Sequence, residues 1–306
     1  MSAPVTPAPA IAFKPIVPRT YPRAVESWLE AQIALARRGF SCGPIDGIAG
    51  AQSAAALRSF QQSASLPPTG RLDDATRAAL VLDTPPLTQL ALTADDLARL
   101  QPLGKTWLEK SQQTALAHET VLEFVSERTH SSPRFIEALN PAIAWNTLTP
   151  GAHLTVPDIT LTLFPAKAAR LEVRLADHVL QARDAEDKLL AHFPVSIAHD
   201  VEKRPVGELH VTLVIAGPNY TFNPETFPES AEARELGRKL IIAPGPNNPV
   251  GVAWIGLDRP GYGIHGTPTP EHVGRTESHG CFRLANWDAL TLLDLAWVGL
   301  PVTVLP

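Results

Sequence analysis

The hydrophobic residues near the N-terminus recur with the spacing of short helices. Between 23 and 83 one apolar run has helical periodicity and is ended by Gly39. A turn-rich stretch leads to a second helical run that carries Leu57, and Asp73 or Asp74 can then cap a short third helix. The pattern therefore predicts a small three-helix bundle.

A second helical pattern lies between 112 and 158. Its apolar residues line one face of a helix around Phe124 and one face of another around Ile136, and Asn140 with the following proline breaks the second helix. The apolar run that comes next supplies a closing strand. We expect a strand–helix–helix–strand module in which the opening strand is weak.

The pattern of the C-terminal region, 168–306, becomes that of strands. Apolar residues alternate with others from Leu171 to Leu175 and from Leu209 to Ile215, which predicts one buried face for each strand. A single helix is expected to begin near Asn286, as its cap, and to end at Gly299. Further β-like runs lie at 192–197, 239–244, 250–257 and 302–305. This region is predicted to be mostly β with one late helix.

Proline content indicates how these regions are joined. There are 30 prolines in 306 residues, about twice the ordinary usage. Six of them lie within 1–22, which we interpret as an extended tether, and 84–111 reads as a connector. The chain has 44% hydrophobic and 19% charged residues, a composition typical of globular domains. Together with the helical and strand patterns and a length of 306 residues, it predicts a multidomain α+β protein.

Charge, apolar runs and cysteine content argue against several classes of protein. A net charge of −5 argues against nucleic acid as a partner, because phosphate binding needs a basic face. No apolar run approaches the roughly 18–20 residues of a membrane span, and no signal peptide is visible. The two cysteines, Cys42 and Cys281, lie far apart, so a disulfide is not expected, and Cys42 is interpreted as a small half-buried residue in a turn.

The segment 261–288, GYGIHGTPTPEHVGRTESHGCFRLANWD, concentrates the groups that can carry chemistry. A catalytic cysteine attacks as the thiolate and therefore needs a base or a cationic neighbour. His265 precedes Cys281 by a loop rich in glycine and proline, which can fold back and bring the imidazole to the sulfur. The segment thus predicts a thiol–imidazole pair.

Residues beside this pair could complete a site. His279 and Arg283 lie two positions before and after Cys281, so all three side chains share a face if the chain is extended there. Arg283 is a fixed cation suited to a carboxylate. Gly266 and Gly280 are expected to leave backbone N–H groups open to a developing oxyanion.

Three other interpretations of these side chains stay open. A tetrahedral zinc site is conceivable, although neither a CxxC nor an HExxH spacing is present; its ligands would be His265, His272, His279 and Cys281. The histidines could instead be hydrogen-bonded loop residues, or the cysteine an inert core thiol. The concentration of all these groups in one glycine-rich hairpin favours catalysis.

The motif IHGT (264–267) followed by SHGCFRLANWD (278–288) resembles the signature of the L,D-transpeptidase catalytic domain of the YkuD type. Supporting matches extend the resemblance over 170–306. It implies a β-sandwich-like fold in which Cys281 is the nucleophile and His265 its base. The remaining implied roles are orientation of the imidazole by the Gly266 carbonyl, an oxyanion and substrate site at His279, Gly280 and Cys281, and substrate contacts by Ser278 and Arg283. Phe282 stands where the family more often has an aliphatic residue.

The two regions in front resemble wall-binding modules. Residues 23–83 are similar to a peptidoglycan-binding helical domain through GPIDGIAG, ALRSFQ and TGRLDDATRAAL, with Ala49 in place of a frequent bulky aromatic residue. Residues 112–158 are similar to a LysM domain, a βααβ module that binds N-acetylglucosamine chains. Here His118-Glu119-Thr120 replaces the usual acidic start.

Together the resemblances imply an enzyme of the bacterial cell wall that needs no cofactor and no metal. Cys281 would attack an L-centre of a peptidoglycan stem, expel D-alanine, and pass the acyl group to an amine of a second stem. Stem peptides and glycan strands are the expected partners, and the location is periplasmic or extracytoplasmic, with a signal peptide absent from this sequence. The alternatives are hydrolysis, D-amino-acid exchange, and a catalytically silent wall-binding scaffold.

Overall fold

The N-terminal bundle (23–83) contains the three predicted helices. The computed structural model describes residues 20–160, 164, 166–226, 230–275 and 280–306, so most of the predicted tether (1–22) lies outside the described residues. Asp73, one of the two predicted caps, accepts a hydrogen bond from the Thr76 N–H and begins the third helix. The elements are β1 (Arg23–Ala24), α1 (Trp28–Ala36), α2 (Ala51–Ser63), α3 (Asp74–Ala79) and β2 (Val81–Leu82).

The middle module (84–158) is built on a two-stranded antiparallel sheet. Its elements are β3 (Leu87–Ala91), α4 (Ala94–Ala98), α5 (Trp107–Gln112), α6 (Val121–Arg128), α7 (Pro133–Leu139) and β4 (His153–Pro157). The opening strand β3 lies inside the predicted connector, 84–111, and pairs with β4 along its whole length. The sequence analysis missed β3 because the strand is partly exposed and weakly alternating, so its pairing with a distant segment decides its structure.

The C-terminal region (168–306) is mostly β, as predicted. Its elements are β5 (Arg170–Arg174), β6 (Val179–Arg183), β7 (Leu189–Pro194), β8 (Gly207–Ala216), β9 (Tyr220–Phe222), α8 (Ala231–Leu236), β10 (Leu240–Ile242), β11 (Ala253–Leu257), β12 (Gly263–His265), β13 (Phe282–Arg283), α9 (Asn286–Leu295) and β14 (Pro301–Leu305). Strands β9 and β10 pair separately from the main sheet.

The main sheet has eight strands in the order β13-β12-β11-β8-β14-β5-β6-β7. It curves until its two edges approach each other: Ser196, just after β7, and Arg283 of β13 exchange backbone hydrogen bonds of 2.9 and 3.0 Å. The result is a half-barrel around one hydrophobic core rather than the expected sandwich-like arrangement. Leu213 of β8 is 46% exposed, so the predicted alternation of that strand does not bury all of its apolar residues.

The N-terminal bundle and the middle module pack directly on the C-terminal region. Phe40 forms a parallel bridge with His192 of β7 and covers that part of the strand. The guanidinium of Arg37 donates to the carbonyl of Asp158, which ties the bundle to the end of the middle module. The late helix α9 packs against α6 on one side and against the sheet on the other. No helix in the described part of the chain has the length and apolar character that crossing a membrane requires.

Helix α9 does not begin as the sequence predicts. Its N-cap is Ala285, which has no side chain able to cap, and Asn286 is the first helical residue. The Asn286 side chain cannot serve as the cap because it is buried and hydrogen-bonded to other segments of the molecule.

Candidate active site

Two adjacent strands bring His265 and Cys281 to the same face of the sheet. Strands β12 and β13 are parallel, with Ile264 opposite Phe282 and His265 opposite Arg283. Ile264 and Phe282 are buried in the core. Because side chains alternate along a strand, His265, Arg283 and the preceding Cys281 lie on the other face. The parallel pairing of β12 with β13 thus places the imidazole and the thiol on one face of the sheet.

The tautomer of His265 is set by a backbone hydrogen bond. Its Nδ1 lies 2.6 Å from the carbonyl oxygen of Gly266, and a carbonyl only accepts, so the proton is on Nδ1. Nε2 therefore carries the lone pair. Burial lowers the pKa of His265 to about 4; the Gly266 bond opposes this shift, and the charge of Arg283 adds to it. The imidazole is neutral at neutral pH and available as a proton acceptor.

The Cys281 thiol is half-buried beside this imidazole's strand. Its Sγ lies 3.5 Å from the carbonyl oxygen of Gly261, to which it donates. Burial raises the pKa of the thiol, while a backbone hydrogen bond from Gly263 and the charge of Arg283 act in the opposite direction. The thiol is therefore protonated at neutral pH, and its activation requires a base.

An aromatic side chain that the sequence analysis did not single out covers His265. The Trp254 ring stacks on the imidazole with the ring centroids 5.5 Å apart and the planes at 19°. The two residues pair directly across β11 and β12. The space for the indole comes from Gly263, where an added Cβ would lie 2.6 Å from the ring. Two aromatic or histidine residues at a directly paired position of a predicted hairpin are the signal that could have revealed this contact.

Two tyrosines lie near the segment that carries the thiol. A Cβ added to Gly280 would lie 3.9 Å from the Tyr262 ring, and the guanidinium of Arg259 sits 4.5 Å above the centre of that ring. Tyr220 also lies near the sulfur: burial raises the pKa of Tyr220, and the negative charge of a Cys281 thiolate raises it further. The surroundings of the thiol thus combine aromatic rings with the positive charge of Arg283.

Among the other residues considered for the site, one prediction is wrong, two residues are not described by the structure and one side chain is exposed. The N–H of Gly266 donates to the Ala253 carbonyl at 3.3 Å, so the prediction that it is open to an oxyanion is wrong; the strand pairing of β11 and β12 uses it. His279 and Ser278 lie outside the described residues. His272 is exposed in the loop between His265 and Cys281.

The zinc alternative has no support among the described residues. Within them, no three His, Cys, Asp or Glu side chains are grouped so that they could hold a metal ion. His279, one of the four ligands considered, is not among these residues. Both cysteines are free thiols, and Cys42 is buried rather than half-buried as expected.

Comparison with known proteins relates two regions of the chain to described families. Residues 168–304 match the family model described as "L,D-transpeptidase catalytic domain", and residues 25–80 match "Putative peptidoglycan binding domain". The chain is similar to "Putative L,D-transpeptidase YkuD" of Bacillus licheniformis, with 23% identity over 60% of this chain and 93% of that protein. It is also similar to "Putative L,D-transpeptidase YqjB" of Bacillus subtilis, with 31% identity over 39% of this chain and 61% of that protein.

Among solved structures, an L,D-transpeptidase from Xylanimonas cellulosilytica aligns with a TM-score of 0.38 and 14% identity over 95% of this chain and 100% of that chain. The two family models together support the assignment that the motifs suggested. Residues 168–304 thus match the L,D-transpeptidase catalytic domain of the YkuD type, and residues 25–80, in front of them, match a peptidoglycan-binding domain.

Proposed function

We propose that this chain is a peptidoglycan L,D-transpeptidase in which Cys281 is the nucleophile and His265 its general base. The observation that carries the proposal is the hydrogen bond from Nδ1 of His265 to the Gly266 carbonyl, 2.6 Å long. It leaves Nε2 unprotonated on the face that also holds the thiol. A buried neutral imidazole beside a protonated thiol is the resting state that base-assisted attack requires.

In the first step the Cys281 Sγ attacks the carbonyl carbon of an L-centre in a stem peptide, and Nε2 of His265 takes the thiol proton. The carbonyl π electrons move to oxygen, and the backbone N–H groups of Gly280 and Cys281 are proposed to bind this oxyanion. The C–N bond then breaks, the imidazolium returns its proton to the leaving amine, and D-alanine departs. A thioester on Cys281 remains.

In the second step an amine of another stem attacks the thioester carbonyl. His265 accepts the proton that this amine loses, the C–S bond breaks, and the thiolate recovers the proton from the imidazolium. Arg283 adds a positive charge that can hold a carboxylate of either substrate. Ser278, five positions earlier in the sequence, is proposed to contact the substrate through its hydroxyl group. Water or a free D-amino acid in place of the amine would give a carboxypeptidase or an exchange enzyme.

The two regions in front are proposed to hold the enzyme on its polymeric substrate. The N-terminal bundle, which matches a peptidoglycan-binding domain model, and the LysM-like part of the middle module, 112–158, would bind wall glycans and raise the local concentration of stems. Such a substrate lies outside the cytoplasmic membrane, so we propose a periplasmic or other extracytoplasmic location.

Product analysis tests the proposed reaction. Purified disaccharide-tetrapeptides are incubated with the full chain and with the Cys281→Ala variant, and the products are identified by mass spectrometry. The proposal predicts cross-linked dimers together with free D-alanine, and neither with the variant. Tripeptides without dimers would identify a carboxypeptidase, and an unchanged substrate would overturn the enzymatic proposal. The fragmentation of any dimer also gives the cross-link type.

A further inference from the structure

The side chain of Asn286 joins the middle module to the C-terminal region. Its Nδ2 donates to Oε2 of Glu127 in α6 at 2.8 Å and to the carbonyl oxygen of Pro246 at 3.0 Å. Its Oδ1 accepts from the backbone N–H of Val252 at 3.3 Å. The residue is fully buried. Both donor hydrogens and the acceptor of this amide are therefore engaged, each by a different segment of the chain.

The same amide oxygen lies against the backbone that holds the catalytic imidazole. A Cβ added to Gly266 would lie 2.3 Å from Oδ1 of Asn286, and one added to Gly251 would lie 2.1 Å from the same atom. Both positions must therefore be glycine while Asn286 is present. The Gly266 carbonyl is the acceptor for Nδ1 of His265. Asn286 is thus separated from the imidazole's hydrogen bond by one packed peptide group.

We propose that Asn286 is a positioning residue: clamped by Glu127 of the middle module, it holds the Gly266 carbonyl where that carbonyl orients His265, so the front of the chain takes part in building the active site. The effect of Asn286 on the rate of acylation rests on the proposed function, whereas its effect on the tautomer of His265 can be measured without it. An imidazole displaced by about 1 Å can lose about 100-fold in rate, so a packed glycine peptide is an effective place to control it.

Glu127 is itself fixed within the middle module. Its other carboxylate oxygen lies 3.3 Å from Nε2 of His118, and both side chains are more than four-fifths buried. A charged acceptor that is desolvated and held at both oxygens gives a strong, directional bond to the Asn286 amide. The bond therefore transmits the placement of α6 to the active site.

A matched control is the contact of Asn247 with Glu123, which lies one helical turn before Glu127 on α6. Nδ2 of Asn247 donates to Oε1 of Glu123 at 2.6 Å and to the carbonyl oxygen of Ala117 at 2.9 Å. This contact crosses the same interface with the same pair of residue types, and its partners do not include Gly251 or Gly266. Asn247→Ala therefore weakens the interface but keeps the side chain of Asn286 and the backbone carbonyl of the preceding Pro246, to which Asn286 donates.

The experiment compares the full-length chain with Asn286→Ala, Glu127→Ala, Glu127→Gln and Asn247→Ala. For Asn286→Ala we expect kcat for acylation by a tetrapeptide stem or a β-lactam to fall by about 10- to 100-fold with KM changed by less than about 3-fold, because orientation rather than binding is lost. Glu127→Ala should show a smaller loss in the same direction. Glu127→Gln keeps an oxygen that can accept the Asn286 bond and should restore most of kcat, and Asn247→Ala should resemble the unaltered chain.

A second readout does not depend on catalysis. Nitrogen-15 NMR of the imidazole, assigned with His265→Ala, should show protonated Nδ1 and unprotonated Nε2 in the unaltered chain. Asn286→Ala should give a mixture of tautomers, and Asn247→Ala should not. If the unaltered chain does not acylate, but Asn286→Ala alone loses the Nδ1–H tautomer, the proposed function fails and this inference stands. If Asn286→Ala keeps both the tautomer and the kcat of the Asn247→Ala control, the positioning role is wrong.

Discussion

Two regions in the described part of the chain hold a cysteine, a histidine and polar neighbours, and one of them has the arrangement that we propose for the active site. At the junction of the three parts of the chain, Cys42, His130 and Asp288 line one small cavity of about 10 Å³. At the sheet edge, Cys281 and His265 share a face with Arg283. Residue types alone would not distinguish the two regions.

The difference lies in exposure and in the charge next to the thiol. Cys42 is 4% exposed; burial raises its pKa, and the nearby carboxylates of Asp288 and Asp46 raise it further. Burial lowers the pKa of His130 to about 3, and its ring stacks on Trp287. At Cys281, by contrast, Arg283 favours the thiolate. A thiol becomes a nucleophile where a substrate can reach it, a cation stabilises its charge and a base has a defined tautomer.

Substituting the two cysteines should give the largest contrast. Cys281→Ala is expected to abolish acyl transfer because the acylated atom is lost, while the fold is kept. Cys42→Ala should retain the rate of the unaltered chain and lose some thermal stability, since it removes a buried side chain. Initial rates with a tetrapeptide stem and thermal unfolding measure both effects. Activity of Cys281→Ala above the background of a mock purification would refute the assignment.

Substitutions of His265 and His272 should differ almost as strongly in their effect on the rate of acylation. His265→Ala is expected to slow acylation by about 10²- to 10⁴-fold, the usual effect of removing a positioned base. His272→Ala should change the rate little, because that side chain is exposed in the loop. Equal damage by the two substitutions would favour a metal site or another catalytic arrangement. Treatment with a chelator is an independent control, and we expect it to leave the rate unchanged.

Alkylation should separate the two thiols in the unmodified protein. Iodoacetamide is expected to label Cys281 and to leave Cys42 unlabelled until the chain is unfolded, because Cys42 is buried. Labelling of Cys281 should slow in His265→Ala, which lacks the proton acceptor. Peptide mapping after a short reaction gives both rates. A Cys281 that reacts like a free thiol, with or without His265, would indicate a vestigial site.

The difference in pH-dependent stability between the unaltered chain and Asp288→Asn should report the junction, and this is the smallest effect. Burial raises the pKa of Asp288 to about 8, opposed by its hydrogen bond from Ser41 at 2.9 Å. The folded state therefore holds a proton that an unfolded carboxyl, with a pKa near 4, releases. Stability from this group is full below about pH 4 and decreases as pH rises towards about 8. Asp288→Asn should flatten that slope in thermal unfolding measured across the range; an unchanged slope would show that another group causes it.

Local signals in the sequence predicted the parts of the molecule that neighbouring residues determine. The cap at Asp73, the three helices of the bundle and the mostly-β character of the C-terminal region follow from spacing and local hydrogen bonding. His265 and Cys281 likewise lie within one segment of 28 residues, so their pairing could be predicted from the sequence without knowledge of tertiary contacts.

What the sequence could not predict depends on contacts between distant segments. Strand β3 pairs with β4 across the whole middle module. The sequence predicts Asn286 as a helix cap. In the structure its side chain is hydrogen-bonded to Glu127 and to the backbone of Val252, which are distant in sequence, and therefore does not cap the helix. The N–H of Gly266 looks open in sequence and is used by the pairing of β11 with β12. Each error concerns a hydrogen bond whose partner lies on another element.

Trapping the acyl-enzyme tests the central claim most directly. The full-length chain is mixed with a tetrapeptide stem, quenched with acid within its first turnover, and measured by intact-protein and peptide mass spectrometry. We predict an adduct of the stem without its terminal D-alanine, attached to the peptide that contains Cys281 and released by hydroxylamine, as a thioester should be. An adduct on any other residue, or product formation without an adduct at Cys281, would contradict the account.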